Sequence, residues 1–207
     1  RIKLSAPRTF ADAPIGQSLI DFAKEFPDIV LDIQLDDRFV DLVEEGFDLA
    51  IRITRLESSS LIARKLAPFG IKVCGSPDLI ERLGRPVKPQ DLARLPCVID
   101  TNGRWLSNWP FISETGEPMS VPVIGRLEVN SPQAVRSAAI AGLGYATMPD
   151  FIARPALEDG TLVSLLEEFV PSGGGIFAVY PHRRYLPAKV RVFVDYLVQW
   201  FKQYAAA

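Results

Sequence analysis

The 207 residues hold only two cysteines, one histidine and two methionines. Two isolated cysteines, Cys74 and Cys97, make no disulfide framework, and with no Cys-x-x-Cys and a lone His182 there is no zinc-ligand set. Both thiols read as structural, Cys74 as a strand residue after Ile71-Lys72-Val73, and such sparse use fits a reducing cytoplasm. No apolar run approaches the ~18 residues of a membrane span. The opening Arg1-Ile2-Lys3-Leu4-Ser5 lacks a signal-peptide pattern, as the mature form of a secreted protein also would. Basic residues number 23 and acidic ones 25, so the net charge is −2. With no basic block there is no electrostatic footprint for DNA or RNA, and nucleic-acid contact would fall to another part of a longer protein. Phosphate loops, Gly-x-Gly-x-x-Gly and a nucleophile elbow around Ser131, Ser137 or His182 are all missing. The chain therefore reads as neither an enzyme nor a cofactor carrier. Glu44, Glu45, Glu167 and Glu168 read as solvated faces and ends.

What is present suffices for a core without staples. Hydrophobic residues are 48% and charged ones 23%, ordinary for a globular protein. A chain of this length forms one large domain or two small lobes and buries roughly 70–75% of its unfolded surface.

Strand-like and helix-like segments alternate. Residues 2–6 form an apolar strand. Ile15, Leu19, Phe22 and Phe26, spaced four, three and four, line one face of a helix. Thr9 or Asp12 would cap that helix, Pro14 would sit in its first turn, and Pro27 would end it. Residues 30–35 are a strand, 39–45 a short helix closed by Gly46, and 48–53 a strand with a continuous apolar run. This order argues for a parallel α/β sheet. A second unit follows: strand 71–75, helix 77–83, short helix 89–95 and strand 97–100. A hairpin turns near Thr115-Gly116. After strand 125–129, Ser131-Pro132 is an N-cap with proline in the first helical position. That helix reaches about Gly142, and strand 144–148, helix 149–158 and strand 162–165 complete the unit. Beyond Ser172-Gly173-Gly174-Gly175 come strand 176–180 and a last helix opened by Pro187, with Val190, Phe193, Val194, Leu197 and Phe201 on one side. Ala205–Ala207 end the chain.

The stretch Asp37-Arg38-Phe39-Val40-Asp41-Leu42-Val43-Glu44-Glu45-Gly46-Phe47-Asp48-Leu49-Ala50-Ile51-Arg52-Ile53 resembles a hallmark segment of LysR-type transcriptional regulators. Leu4-Ser5-Ala6-Pro7, Ser59-Ser60-Leu61-Ile62-Ala63-Arg64-Lys65-Leu66-Ala67, Gly75-Ser76-Pro77, Asn130-Ser131, Ala141-Gly142-Leu143-Gly144 and Met148-Pro149 agree in order and spacing. The sequence departs from the pattern at Ile53-Thr54 and at Ala11-Asp12-Ala13-Pro14. The resemblance implies the C-terminal effector-binding domain of such a regulator. Its fold would be α/β and two-lobed, like a type 2 periplasmic binding protein. Each lobe would carry a mixed, mostly parallel sheet flanked by helices, and two crossing strands would join the lobes. Residues 1–68 plus 174–207 would make lobe one and 69–173 lobe two, with crossings near 66–70 and 172–176. A small-molecule effector would bind in the cleft and change how a homodimer or tetramer assembles on DNA. The winged helix-turn-helix that touches DNA would precede residue 1 and is absent here. For self-association, the face of Ile15, Leu19 and Phe22 or the strand edge at 30–35 are candidates.

Ligands of open α/β sheets bind beyond the carboxyl ends of strands, where helix N-termini converge. Two junctions qualify: Ser5-Ala6-Pro7-Arg8-Thr9-Phe10 and Asn130-Ser131. Their hydroxyls and unpaired backbone N–H groups suit a carboxylate or similar anion, although helix capping alone accounts equally for Thr9 and Ser131. Arg52 ends a buried strand, where a charge needs a counter-charge. Either an anionic ligand or a salt bridge to Asp48 or Asp100 supplies it. Thr54 shares its side of the strand. Cys74, Thr101 and Asn102, at strand ends of the second lobe, are candidates for the opposite wall, with core packing the competing role for Cys74. Trp105, Trp109 and Phe111 are expected to cover the second core. His182 is expected at the surface or a strand end. A small organic anion is the expected effector. The competing function is a periplasmic solute-binding protein of a transport system; an enzyme on this fold has no residue set to support it.

Overall fold

A computed structural model describes residues 1–37, 40–54, 62–102, 105–181 and 186–206. The chain divides into two compact units, Arg1–Phe69 with Gly173–Ala207, and Gly70–Ser172.

The first unit is a five-stranded sheet in the order β2-β1-β3-β12-β4. Its strands are β1 (Ile2–Ala6), β2 (Leu31–Leu35), β3 (Leu49–Thr54), β4 (Ile62–Phe69) and β12 (Gly174–Tyr180). β1 is parallel to both β2 and β3, while β12 runs antiparallel to β3 and β4. The expected parallel arrangement therefore holds for the three leading strands, and the returning chain enters between β3 and β4.

The expected single helix after β1 is two. α1 (Arg8–Asp12) stops, Pro14–Gly16 makes one 3-10 turn, and α2 (Gln17–Glu25) follows. Pro14 has no N–H to continue α1, and a Cβ at Gly16 would lie 2.3 Å from the Ala11 carbonyl oxygen. Only glycine permits so tight a turn. Thr9 and Asp12 fall inside α1 and do not cap it; the N-cap position is Pro7. Ile15, Leu19 and Phe22 are buried, facing the sheet-side core rather than an outer surface. There Phe22 stacks on Phe26 at 4.7 Å and meets the edges of Phe193 and Tyr196 at 4.8 and 5.2 Å. The last two belong to α6 (Ala188–Ala206).

The hallmark segment proves to be fold-building. Of the expected helix 39–45, Phe39 lies outside the described residues and 42–46 are turn. Asp41 Oδ1 accepts the N–H groups of Val43 and Glu44 at 2.9 and 3.0 Å, and Gly46 takes φ +70°, a left-handed geometry that suits glycine. Phe47 then enters the core. The Asp48 carboxylate accepts the Lys3 backbone N–H at 2.9 Å and Lys189 Nζ at 3.2 Å, so it ties β1, the strand entering β3 and α6 together. Lys189 Nζ also donates to the Arg1 carbonyl.

The second unit has the sheet order β11-β5-β10-β6-β9. Its strands are β5 (Ile71–Gly75), β6 (Pro96–Asp100), β9 (Ile124–Val129), β10 (Tyr145–Pro149) and β11 (Val163–Leu165). β6 runs parallel to β9 and β10, whereas β5 is antiparallel to β10 and β11. α3 (Pro77–Leu83), α4 (Pro132–Ile140) and α5 (Asp150–Glu158) flank it, and Pro89–Arg94 is a 3-10 helix. The hairpin pairs β7 (Asn108–Ile112) with β8 (Pro118–Pro122), and Gly116 adopts φ +83° at its tip. Trp109 and Phe111 are buried in the second core as expected, but Trp105 is 40% exposed.

Cys74 lies opposite Ala146, and Ala146 opposite Val98. Since side chains alternate along a strand, Cys97 faces the other side of the sheet from Cys74, two strands away at roughly 10 Å. No disulfide can bridge them. Burial pushes each thiol up to about 12, which removes nearly all thiolate at neutral pH. Both should resist a thiol reagent until the chain is unfolded by denaturant. Rapid labelling of either in the native protein would show this packing to be wrong.

Candidate functional site

Each unit carries one junction of the expected kind, at the carboxyl ends of parallel strands. In the first unit, Ser5 and Ala6 end β1 and are fully buried. The neighbouring strand β3 ends in Arg52, Ile53 and Thr54. The Arg52 side chain is half-buried and turned across the sheet: Nη2 donates to Ser5 Oγ at 3.1 Å, and Nη1 to the Ile51 carbonyl at 2.8 Å. A buried hydroxyl and a strand carbonyl thus aim a permanent positive charge at this edge. Planar guanidinium donors fixed in this way match the two oxygens of a carboxylate. Thr54 is half-buried on the same strand. Asp48, one candidate counter-ion for Arg52, is directed to Lys3 and Lys189 instead.

The α1 end of this junction differs from expectation. Arg8 is exposed, and its backbone N–H donates to Asp37 Oδ1 at 3.2 Å. The Phe10 N–H donates to the Pro7 carbonyl at 3.0 Å, and Ala6 O accepts from Asp36 N–H at 3.0 Å. The chain therefore satisfies these N–H groups itself, with a carboxylate from the segment after β2 standing at the start of α1. Thr9 is almost wholly buried; Phe10 is fully so, with its ring 6.2 Å from that of Phe201. Phe10 is a core residue that offers a ligand no side-chain surface.

In the second unit, β6 and β9 end side by side, with Asp100 opposite Val129. Thr101 N–H donates to the Val129 carbonyl at 3.0 Å. Asn102 N–H donates to Asp100 Oδ1 at 2.9 Å, and its side-chain amide to the Asn130 carbonyl at 2.8 Å. Thr101, Asn102 and Asn130 are exposed. Ser131 caps α4, its Oγ accepting the Ala134 N–H at 3.3 Å, so the capping role is real. Beside it in the first turn is Gln133, which the sequence reading did not single out. Its Nε2 is buried without a hydrogen-bond partner among the described residues, and its place directly after Ser131-Pro132 was the available signal. Cys74 is fully buried. It belongs to the core and lines no wall.

A separate open groove of about 340 Å³ in the second unit is lined by Lys72, Asp150, Arg154, Leu157 and Glu158, none of them foreseen. Among the described residues, no cluster of three metal-ligating side chains occurs, and no helix is long and apolar enough to cross a membrane. His182 lies outside the described residues.

The comparisons with known proteins agree with this architecture. The family model of the LysR substrate binding domain matches residues 1–202. The HTH-type transcriptional regulator PtxR of Pseudomonas aeruginosa is 33% identical over 197 residues, covering 95% of this chain and 63% of that protein. The HTH-type transcriptional regulator DmlR of Escherichia coli is 34% identical over 196 residues, covering 94% and 63%. The chain thus spans less than two thirds of the length of these curated relatives. Among solved structures, the regulatory domain of AphB in Vibrio vulnificus superposes with a TM-score of 0.80 at 29% identity, covering 97% of this chain and 98% of that one. The chain belongs to the LysR substrate binding domain family, the effector-binding part of LysR-type transcriptional regulators.

Proposed function

We propose that this chain senses a small organic anion on behalf of a transcriptional regulator whose DNA-reading module lies elsewhere in a longer protein. The observation that carries the reading is the buried Ser5 hydroxyl aiming the Arg52 guanidinium along the carboxyl edge of a parallel sheet. Arg52 binds the carboxylate, with Thr54 and the β1–α1 turn beside it. The second unit carries its own strand-end junction, where Thr101, Asn102, Asn130 and Ser131 offer hydroxyl and amide groups to a ligand. Binding biases the chain towards one conformation by no more than the effector's differential affinity for its conformations. The altered conformation reaches DNA through the assembly of protomers. With Ile15, Leu19 and Phe22 in the core, the self-association surface is the open edge of β2, with the exposed Val30 at its start.

A thermal-shift screen of metabolites tests the reading. A matching carboxylate at a hundred times its Kd stabilises the folded chain by about 2.7 kcal/mol, a rise of several degrees for a chain this size. Stabilisation by cations or neutral sugars, with none by any carboxylate, refutes the anion assignment.

A further inference from the structure

Asn102 ties the ends of β6 and β9 together beyond their last pair. It is exposed in a turn. Its backbone N–H donates to Asp100 Oδ1 at 2.9 Å, and its Nδ2 donates to the Asn130 carbonyl at 2.8 Å. That carbonyl belongs to the peptide leading into Ser131, the cap of α4. Gly103 follows in the sequence, and Asn102-Gly103 is the chain's one Asn-Gly pair. Asparagine is a thermolabile residue, because the backbone nitrogen of the next residue can attack its side-chain amide carbon. A glycine in that next position has no Cβ to hinder the approach and leaves the backbone its widest choice of torsions. The other asparagines, Asn108 and Asn130, precede Trp109 and Ser131, whose side chains stand in the way.

We propose that Asn102 is a self-modification site, where deamidation replaces an amide donor of the second unit's junction by a carboxylate. The Gly103 amide nitrogen gives its proton to the solvent and attacks Asn102 Cγ. A C–N bond forms, the Cγ–Nδ2 bond breaks, and the departing nitrogen takes a proton back from the solvent to leave as ammonia. Water then opens the cyclic imide at either of its carbonyls. One opening gives aspartate; the other draws the side chain into the main chain as isoaspartate. The sum is one water consumed and one ammonia released. The bond from Nδ2 to Asn130 slows the attack without preventing it, since an exposed hydrogen bond opens far more often than the whole fold does. The product adds one negative charge to a chain of net charge −2. Its carboxylate cannot donate to the Asn130 carbonyl and repels it, so the peptide ahead of Ser131 loses its support. The chemistry is independent of which effector the chain binds.

Storage of the folded 207-residue chain at mildly alkaline pH, followed by peptide mapping with mass spectrometry, tests the proposal. Asn102 should convert to a mixture of aspartate and isoaspartate. The course should be first-order, should quicken as pH rises and should ignore protein concentration. Asn108 and Asn130, exposed as Asn102 is, should lag well behind. Gly103→Ala and Asn102→Gln, which would have to close a larger ring, should each slow the change severalfold. If either variant does not fold, the comparison with Asn108 and Asn130 inside the parent suffices. Asn102→Asp reproduces the charged product and should melt about 2–4 °C below the parent, the worth of one ordinary hydrogen bond. Asn102 that stays intact in the folded chain while the denatured chain deamidates overturns the proposal, as does conversion no faster than at Asn108 and Asn130. An Asn102→Asp chain as stable as the parent overturns the link to Asn130.

Discussion

Replacing Phe22 with alanine is expected to cost about 3–5 kcal/mol and to lower the melting temperature by roughly 6–20 °C. Phe22 is fully buried and touches three other aromatic rings, Phe26 from its own helix and Phe193 and Tyr196 from α6. The contact joins segments at the two ends of the chain, so a cavity there loosens α6 from the sheet as well as losing apolar burial. Because a domain's whole stability is about 5–15 kcal/mol, the variant sits close to the unfolding threshold. Calorimetry is the suitable measurement, since the two units need not melt together: the loss should appear in the first unit's transition. A drop of only a degree or two would mean that Phe22 does not fill the space described.

The largest functional effect is expected at Arg52. Arg52→Met keeps the apolar stem but removes the charge and the bond to Ser5 Oγ. Charge-assisted hydrogen bonds contribute about 2–3 kcal/mol, so the Kd for a stabilising carboxylate should rise roughly 30- to 150-fold. Arg52→Lys should recover little of this, because an ammonium cannot reproduce the fork of donors. The methionine variant also strands the buried Ser5 hydroxyl, at a stability cost of about 1–3 kcal/mol. Adding Ser5→Ala removes that unmet group and should restore stability without restoring affinity, which separates folding from binding. Carboxylate affinity that survives in a folded Arg52→Met chain would move the anion site elsewhere.

Legibility in the sequence followed the range of the interactions. The Ser131-Pro132 cap, the Thr115-Gly116 hairpin and the strands at residues 2–6 and 71–75 depend on neighbours a few residues apart, and all were readable. Pro14 signalled a first turn correctly, but the break between α1 and α2 depends on Gly16 closing against Ala11, which periodicity does not encode. The interior, antiparallel place of β12 was hidden because its partners lie more than a hundred residues upstream. The site was legible as two junctions rather than as a set of contacts. Ser5 accepts a bond from Arg52 Nη2 and Ser131 caps α4, contacts that no local pattern specifies in full. Phe10 was misjudged because a helix end in sequence does not reveal which face a side chain takes, whereas the core-packing role open to Cys74 is the one its burial supports. Likewise, nothing local shows that Asp37 serves the start of α1.

The position of β12 also sets an order of assembly on the ribosome. Among the described residues β4 has no sheet partner until residues 174–180 emerge, and at ~5–20 residues per second that wait lasts on the order of ten seconds. The uninterrupted span 70–172 can meanwhile collapse on its own core. The leading strands must keep their apolar faces out of trouble until the closing segment arrives, which makes the nascent first unit the stage at which a chaperone matters most.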